Sequence, residues 1–202
     1  MSARSPMTRS RGHARWCSHV NGVNAPPEMR HWLTDPDSLT AKLIARSRQF
    51  RVRRLHQHQA LCLADEYAMI DLARRSRVWE REVLLQCDGQ PMIFAHTVVP
   101  LTATAKQWPL FGGLGERSLG TTLFTDPKVA RGELQFARLQ PGHPMMRRVA
   151  RATRQQGAAD ALPVLPNTAL YARRSLFRRN GGVMLVTEIF LPGIAGLELV
   201  RR

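Results

Sequence analysis

Two charged residues stand where the pattern of the chain calls for apolar ones. Side chains along an extended strand alternate between faces. In the stretch from Arg77 to Cys87, Trp79, Arg81, Val83, Leu85 and Cys87 therefore share one face, and Val78, Glu80, Glu82, Leu84 and Gln86 the other. Near the end of the chain, Met184, Val186, Glu188 and Phe190 are grouped against Val183, Leu185, Thr187, Ile189 and Leu191. Arg81 and Glu188 thus each sit among apolar neighbours. An ion so placed costs several kcal/mol unless it meets an opposite charge or a polar cavity. Two arrangements satisfy that demand: the two residues pair with each other across a sheet, or they line a closed cavity and hold opposite ends of one ligand. In the second, the planar guanidinium suits a carboxylate, which it grips with two charge-assisted hydrogen bonds. A buried glutamate suits the other end, because burial raises its pKa toward a range useful for proton transfer.

Other reactive residue types are less well placed. His56 and His58 lie at i and i+2 on one strand face, a spacing able to bind metal, but no nearby Cys, Asp or Glu spacing completes a ligand set, so no metal is expected. Gly112-Gly113-Leu114-Gly115 lacks the lysine and strand context of a phosphate-binding loop and reads as a hinge or turn. Cys87 ends a strand with no histidine partner in view, and a nucleophilic role is not expected.

The elements that position Arg81 and Glu188 are two hairpins. The first joins its strands through Cys87-Asp88-Gly89-Gln90, and the Asp-Gly pair between alternating runs is a hairpin signal. The second flanks Asn180-Gly181-Gly182 with Leu170 to Arg178 and Val183 to Leu191. Together they imply an antiparallel sheet. Phe50 to His58 and Leu61 to Leu63 read as further extended segments. Helical patterns begin at Pro26, break at Asp35-Pro36, and resume at Ser38 with Leu39, Leu43 and Ile44 as an apolar stripe. Ser118 to Phe124 and the basic run Met145 to Gln156 are further helical candidates. The expected class is α+β, with helices on one side of the sheet.

With 202 residues, 44% of them hydrophobic, the chain suits one domain. Residues 1–24 are polar, Arg-rich and aperiodic, the composition of a flexible basic extension before a domain spanning 25–202. No apolar run approaches the roughly 20 residues of a membrane span. The Arg-rich start lacks the apolar stretch of a secretory signal, so a cytoplasmic location is expected. Three widely spaced cysteines argue for free thiols. The net charge of +15 suggests an anionic partner. No helix-turn-helix, RNP-type or finger spacing accompanies it, and nucleic acid is not expected. The basic helical candidate, with Arg147, Arg148, Arg151 and Arg154, reads as a solvated face, weak membrane-surface contact being the minority reading.

Four ordered segments resemble the chorismate lyase family: Trp79-Glu80-Arg81-Glu82-Val83-Leu84-Leu85, continuing through Asp88-Gly89-Gln90-Pro91 to Thr97-Val98-Val99-Pro100; Ser118-Leu119-Gly120-Thr121-Thr122-Leu123-Phe124; Tyr171-Ala172-Arg173-Arg174-Ser175; and Leu185-Val186-Thr187-Glu188-Ile189-Phe190-Leu191-Pro192. The resemblance runs from about Trp32 to Pro192. It implies a single antiparallel sheet with helices, an internal ligand site covered by flaps, and no metal or organic cofactor. The implied reaction is cleavage of chorismate to 4-hydroxybenzoate and pyruvate, the first step of ubiquinone biosynthesis, carried out by a monomer.

Residue roles follow from the same resemblance. Arg81 would hold the ring carboxylate, and Glu188 would face the ring hydroxyl as a base or as an orienting group. Leu119 would assist at the carboxylate through its backbone N–H, as would Leu39, which stands in Asp37-Ser38-Leu39-Thr40 where the family can have methionine. Arg173 or Arg174 is the nearest candidate for the second carboxylate of the substrate. The stretch 126–169 is longer than its family counterpart. A non-catalytic module binding an aromatic acid, on a related fold, is the alternative.

Overall fold

In the computed structural model, which describes residues 13–104, 106–154 and 168–197, the alternating segments form seven strands: β1 (Phe50–Leu61), β2 (Arg77–Cys87), β3 (Gln90–Pro100), β4 (Val129–Arg131), β5 (Gln135–Leu139), β6 (Leu170–Arg179) and β7 (Gly182–Phe190). They build one antiparallel sheet in the order β1-β2-β3-β7-β6-β4, with β5 also pairing with β6. Both turn signals close as expected. Asp88 and Gly89 take φ of 51° and 81°, and Asn180 and Gly181 take 49° and 77°. Paired positive φ angles are the signature of the two-residue hairpin turn whose twist matches the flanking strands. The Asp88 carboxylate also accepts hydrogen bonds from the backbone N–H groups of Arg48 and Gln49, which ties this turn to the start of β1.

Of the two extended segments expected before β2, the first runs on to Leu61, and Cys62 and Leu63 lie outside the strand. Strand β1 is continuous but carries a bulge at Leu55: Arg54 pairs with Val83 and His56 with Glu82, so Leu55 has no cross-strand partner. An extra residue reverses the inside–outside alternation beyond it. Val52 faces the side of Leu85, whereas His56 and His58 stand opposite Glu82 and Glu80 on the other side.

Four α-helices occur among the described residues: α1 (Pro27–Leu33), α2 (Leu39–Ile44), α3 (Leu119–Thr125) and α4 (Pro144–Arg154). The expectation of helices on one side is corrected. Trp32 and Leu33 of α1 and Leu39 and Leu43 of α2 pack with Val83, Leu85, Ile93 and Phe190 on one face. Met145, Met146, Val149 and Ala152 of α4 pack with Leu84, Phe94 and Ile189 on the other. The apolar residues of α4 fall at i, i+1, i+4 and i+7, a stripe that must be covered somewhere. The first face is already occupied by α1, α2 and α3.

Part of the stretch read as an N-terminal extension is docked on the sheet. Residues 1–12 lie outside the described residues, but Cys17 exchanges two 2.8 Å backbone hydrogen bonds with Phe136, and Val20 and Val23 are buried. The Trp16 indole N–H donates to Asp65. A few apolar residues among the arginines suffice to dock this segment. Cys17, Cys62 and Cys87 are free thiols, as expected.

Candidate active site

The face that carries Arg81 and Glu188 forms one wall of a partly enclosed cavity. Its floor is the sheet. Cross-strand register places Arg81, Thr97, Val186 and Ser175 in one row across β2, β3, β7 and β6, and Val83, Ala95, Glu188 and Arg173 in the next. Arg81 and Glu188 are thus two strands and two residues apart, roughly 12 Å between Cα atoms at ordinary strand spacings. Their side chains come in from opposite ends. Leu39, Thr40, Ser118, Leu119, Gly120 and Leu123 close the space from above.

Arg81 is 2% exposed. Its Nη2 donates to the carbonyls of Gly115 (2.9 Å) and Arg117 (3.1 Å), so the glycine-rich loop serves as a clamp on the guanidinium. Buried Nε has no acceptor, and no carboxylate among the described residues pairs with this cation. Burial, helped by nearby Arg54, pulls its pKa down to about 10. A positive group held dry by neutral carbonyls, with an unsatisfied N–H, is a receptor for an anion.

Glu188 does not pair with Arg81, so the mutual ion pair that the sequence left open is excluded. Its Oε2 accepts from Arg173 Nε at 2.6 Å. Arg173, 1% exposed, also donates through Nη1 to the carbonyls of Trp32, Leu33 and Asp35. These carbonyls sit at the end of α1, where the helix leaves acceptors unsatisfied. Arg174, its neighbour on the strand, points away and bonds Gln135 Oε1 and the Asp65 carbonyl while stacking over Trp16. Of the two arginines offered by sequence, only Arg173 reaches the cavity, and it is already bonded to Glu188.

Leu39 and Leu119 are the first residues of α2 and α3, capped by Ser38 and Ser118. The N–H at such a position has no acceptor within its own helix. The two helix starts are fastened together by a 2.6 Å hydrogen bond between Thr40 Oγ1 and Ser118 Oγ. They meet at Gly120, where an added Cβ would lie 2.7 Å from Thr40 Oγ1. The cavity therefore has the covering segments that the resemblance implies. One charged lining residue was not singled out in the sequence: Arg131, on the short strand β4. A three-residue strand offers too little periodicity to show its facing.

A second charged cluster occupies the opposite face. Glu80, Glu82 and His96 are buried. His96 Nε2 lies 3.0 Å from Glu66 and its Nδ1 3.2 Å from Glu82. Arg148 of α4, expected on a solvated face, instead turns inward to Glu82 and to Glu80 (2.7 Å). Two buried carboxylates supply the reason, since each needs a neutralising charge. Glu80 also completes a set with His56 and His58 whose ligand atoms fall within 4.8 Å of one another. The sequence reading missed it because the glutamate comes from the neighbouring strand. The Arg148 guanidinium supplies the positive charge there. Against the cost of burial, the His56 hydrogen bond and the His96 and Arg148 charges bring Glu80 down to about 2. Against the same cost, Glu66 and Glu82 lift His96 to about 10.

Most of the chain is similar to known proteins. The family model described as "Chorismate lyase" matches residues 12–197. A "Probable chorismate pyruvate-lyase" of Cupriavidus pinatubonensis is 50% identical over 180 residues, covering 89% of this chain and 89% of that protein. The protein of the same description from Cupriavidus metallidurans is 46% identical, covering 94% and 90%, and that from Dechloromonas aromatica is 43% identical, covering 92% and 98%. Among solved structures, the effector domain of PhnF from Mycobacterium smegmatis matches with a TM-score of 0.49 at 13% identity, covering 77% of this chain and 89% of that one.

Proposed function

Since the chain belongs to the chorismate lyase family, we propose that it converts chorismate to 4-hydroxybenzoate and pyruvate in the cavity between Arg81 and Glu188. The observation that carries this reading is the pairing of an uncompensated buried guanidinium at one end with a carboxylate held at the other. Arg81 holds the ring carboxylate through its free N–H groups, assisted by the backbone N–H groups of Leu39 and Leu119. Glu188, fixed by Arg173, faces the C4 hydroxyl.

Cleavage breaks the C3–O bond with its electron pair going to oxygen. The C4 hydrogen leaves as a proton, its electrons complete the aromatic ring, and enolpyruvate takes up a proton to become pyruvate. Aromatisation supplies the driving force, so the protein's task is to fix one conformer and stabilise the departing charge. These steps call for no metal or organic cofactor. The product would serve ubiquinone biosynthesis in the cytoplasm. No helix among the described residues is long and apolar enough to cross a membrane.

The test incubates metal-free protein with chorismate and measures 4-hydroxybenzoate and pyruvate together. Equal formation of both establishes the lyase. Binding of 4-hydroxybenzoate without turnover would replace it with an aromatic-acid binding module.

A further inference from the structure

We infer that Arg131 holds the second carboxylate of the substrate, the one on the enolpyruvyl side chain, so that the cavity is built for a dicarboxylate. This rests on the lyase reading. Chorismate enters with two carboxylates and 4-hydroxybenzoate leaves with one, so a closed site must offer a cation that the product does not use. Three arginines line the cavity: Arg81, Arg131 and Arg173. Arg81 is engaged at the ring carboxylate, and Arg173 is neutralised by Glu188 at 2.6 Å.

Arg131 has the remaining charge. Its Nε donates to Ser175 Oγ (3.0 Å) and its Nη1 to the Pro36 carbonyl (2.7 Å), both neutral acceptors. Among the described residues, no carboxylate lies within ion-pair distance of it, and Nη2 has no acceptor. The nearby Asp35 is taken by Lys42 at 2.6 Å. The guanidinium lies over the rings of Phe124 (5.4 Å) and Phe177 (5.6 Å), which hold its orientation. Burial, and after it the charge of Arg173, lowers its pKa against the opposing charges of Glu188, Asp35 and Asp37.

Position agrees with the chemistry. The enolpyruvyl ether is on C3, next to the C4 hydroxyl that Glu188 faces, so its carboxylate must lie at the Glu188 end. Ser175, which fixes Arg131, is two residues along β6 from Arg173, which fixes Glu188. As the C3–O bond breaks, Arg131 stays with the departing enolpyruvate, while Arg81 stays with the aromatic product.

The test compares Arg131→Gln and Arg131→Lys with the wild type in chorismate turnover and in 4-hydroxybenzoate affinity by calorimetry. Loss of one charge-assisted contact predicts a fall in kcat/KM of about 10- to 100-fold for Arg131→Gln. Partial recovery is expected in Arg131→Lys, with the 4-hydroxybenzoate Kd within about threefold of wild type in both. Unchanged turnover, or equal losses of turnover and product affinity, would overturn the assignment. A second measurement needs no variant: wild-type protein should bind 3-(carboxymethoxy)-4-hydroxybenzoate more tightly than 3-ethoxy-4-hydroxybenzoate, and the reverse order overturns the assignment. Failure of the lyase reading shows separately, as absence of wild-type turnover.

Discussion

Arg173 joins helix α1 to Glu188: its Nη1 donates to three carbonyls at the helix end, and its Nε donates to Glu188 Oε2 at 2.6 Å. Breaking a buried pair by removing one partner costs about 3–5 kcal/mol. Because Glu188 keeps some solvent access, Arg173→Met should destabilise the fold by the lower end, about 3 kcal/mol. Arg173→Lys should fold but lose turnover more than product affinity, since an ammonium cannot span both sets of acceptors. Urea denaturation and steady-state kinetics check the pair of expectations.

Arg81→Ala should lose both chorismate turnover and 4-hydroxybenzoate binding, each by about 100-fold, as expected for removal of a charged hydrogen-bonding partner from a dry site. Wild-type turnover and product affinity in this variant would remove Arg81 from the carboxylate. Glu188→Gln separates two roles for the opposite end. A fall in kcat with little change in product affinity indicates proton transfer, whereas undiminished turnover leaves orientation of the hydroxyl.

Stability should have a plateau in mildly acidic solution and fall on both sides. Glu80 is held at about 2 against an ordinary 4.5. Its contribution is therefore complete above 4.5 and lost as pH falls toward 2. His96 is raised from 6.5 to about 10, so its contribution is complete below 6.5 and lost as pH rises toward 10. Denaturation midpoints should decline from about pH 6.5 to pH 9, and His96→Gln should flatten that limb. A wild-type midpoint that stays level through this range would mean the histidine is not charged in the fold.

Gly120→Ala puts a methyl group where the structure allows 2.7 Å to Thr40 Oγ1. Overpacking of this kind costs about 1–3 kcal/mol, and here the strain falls on the hydrogen bond between Thr40 and Ser118. The expected result is a raised KM for chorismate with a smaller change in melting temperature.

Much of the frame was legible because it rests on local rules. Asp88-Gly89 and Asn180-Gly181 marked both hairpins, and strand alternation set Arg81 and Glu188 each among apolar neighbours, although their sharing one face of the sheet required the cross-strand register. What was not legible depends on neighbours distant in sequence. The partner of Glu188 is Arg173, on the strand beside it, and the choice between Arg173 and Arg174 required the register of β6. Arg148 read as a solvated residue of a basic helix because nothing in its own segment announces two carboxylates on β2. Arg131 went unnoticed on a strand too short to show a period.

The bulge at Leu55 gives β1 a divided allegiance. Before it, Val52 belongs to the wall of the ligand cavity; after it, His56 and His58 belong to the ionic layer beneath α4. Strand length is thereby converted into chemical sorting: one unpaired residue keeps two imidazoles out of the arginine-lined cavity and delivers them to carboxylates instead. Pairing Leu55 with Glu82 in regular register would exchange those destinations, turning the histidines toward the cavity and leaving Glu80 and Glu82 short of a donor. A shift of one residue in the register of this strand therefore reaches both surfaces of the sheet at once, although it alters neither Arg81 nor Glu188.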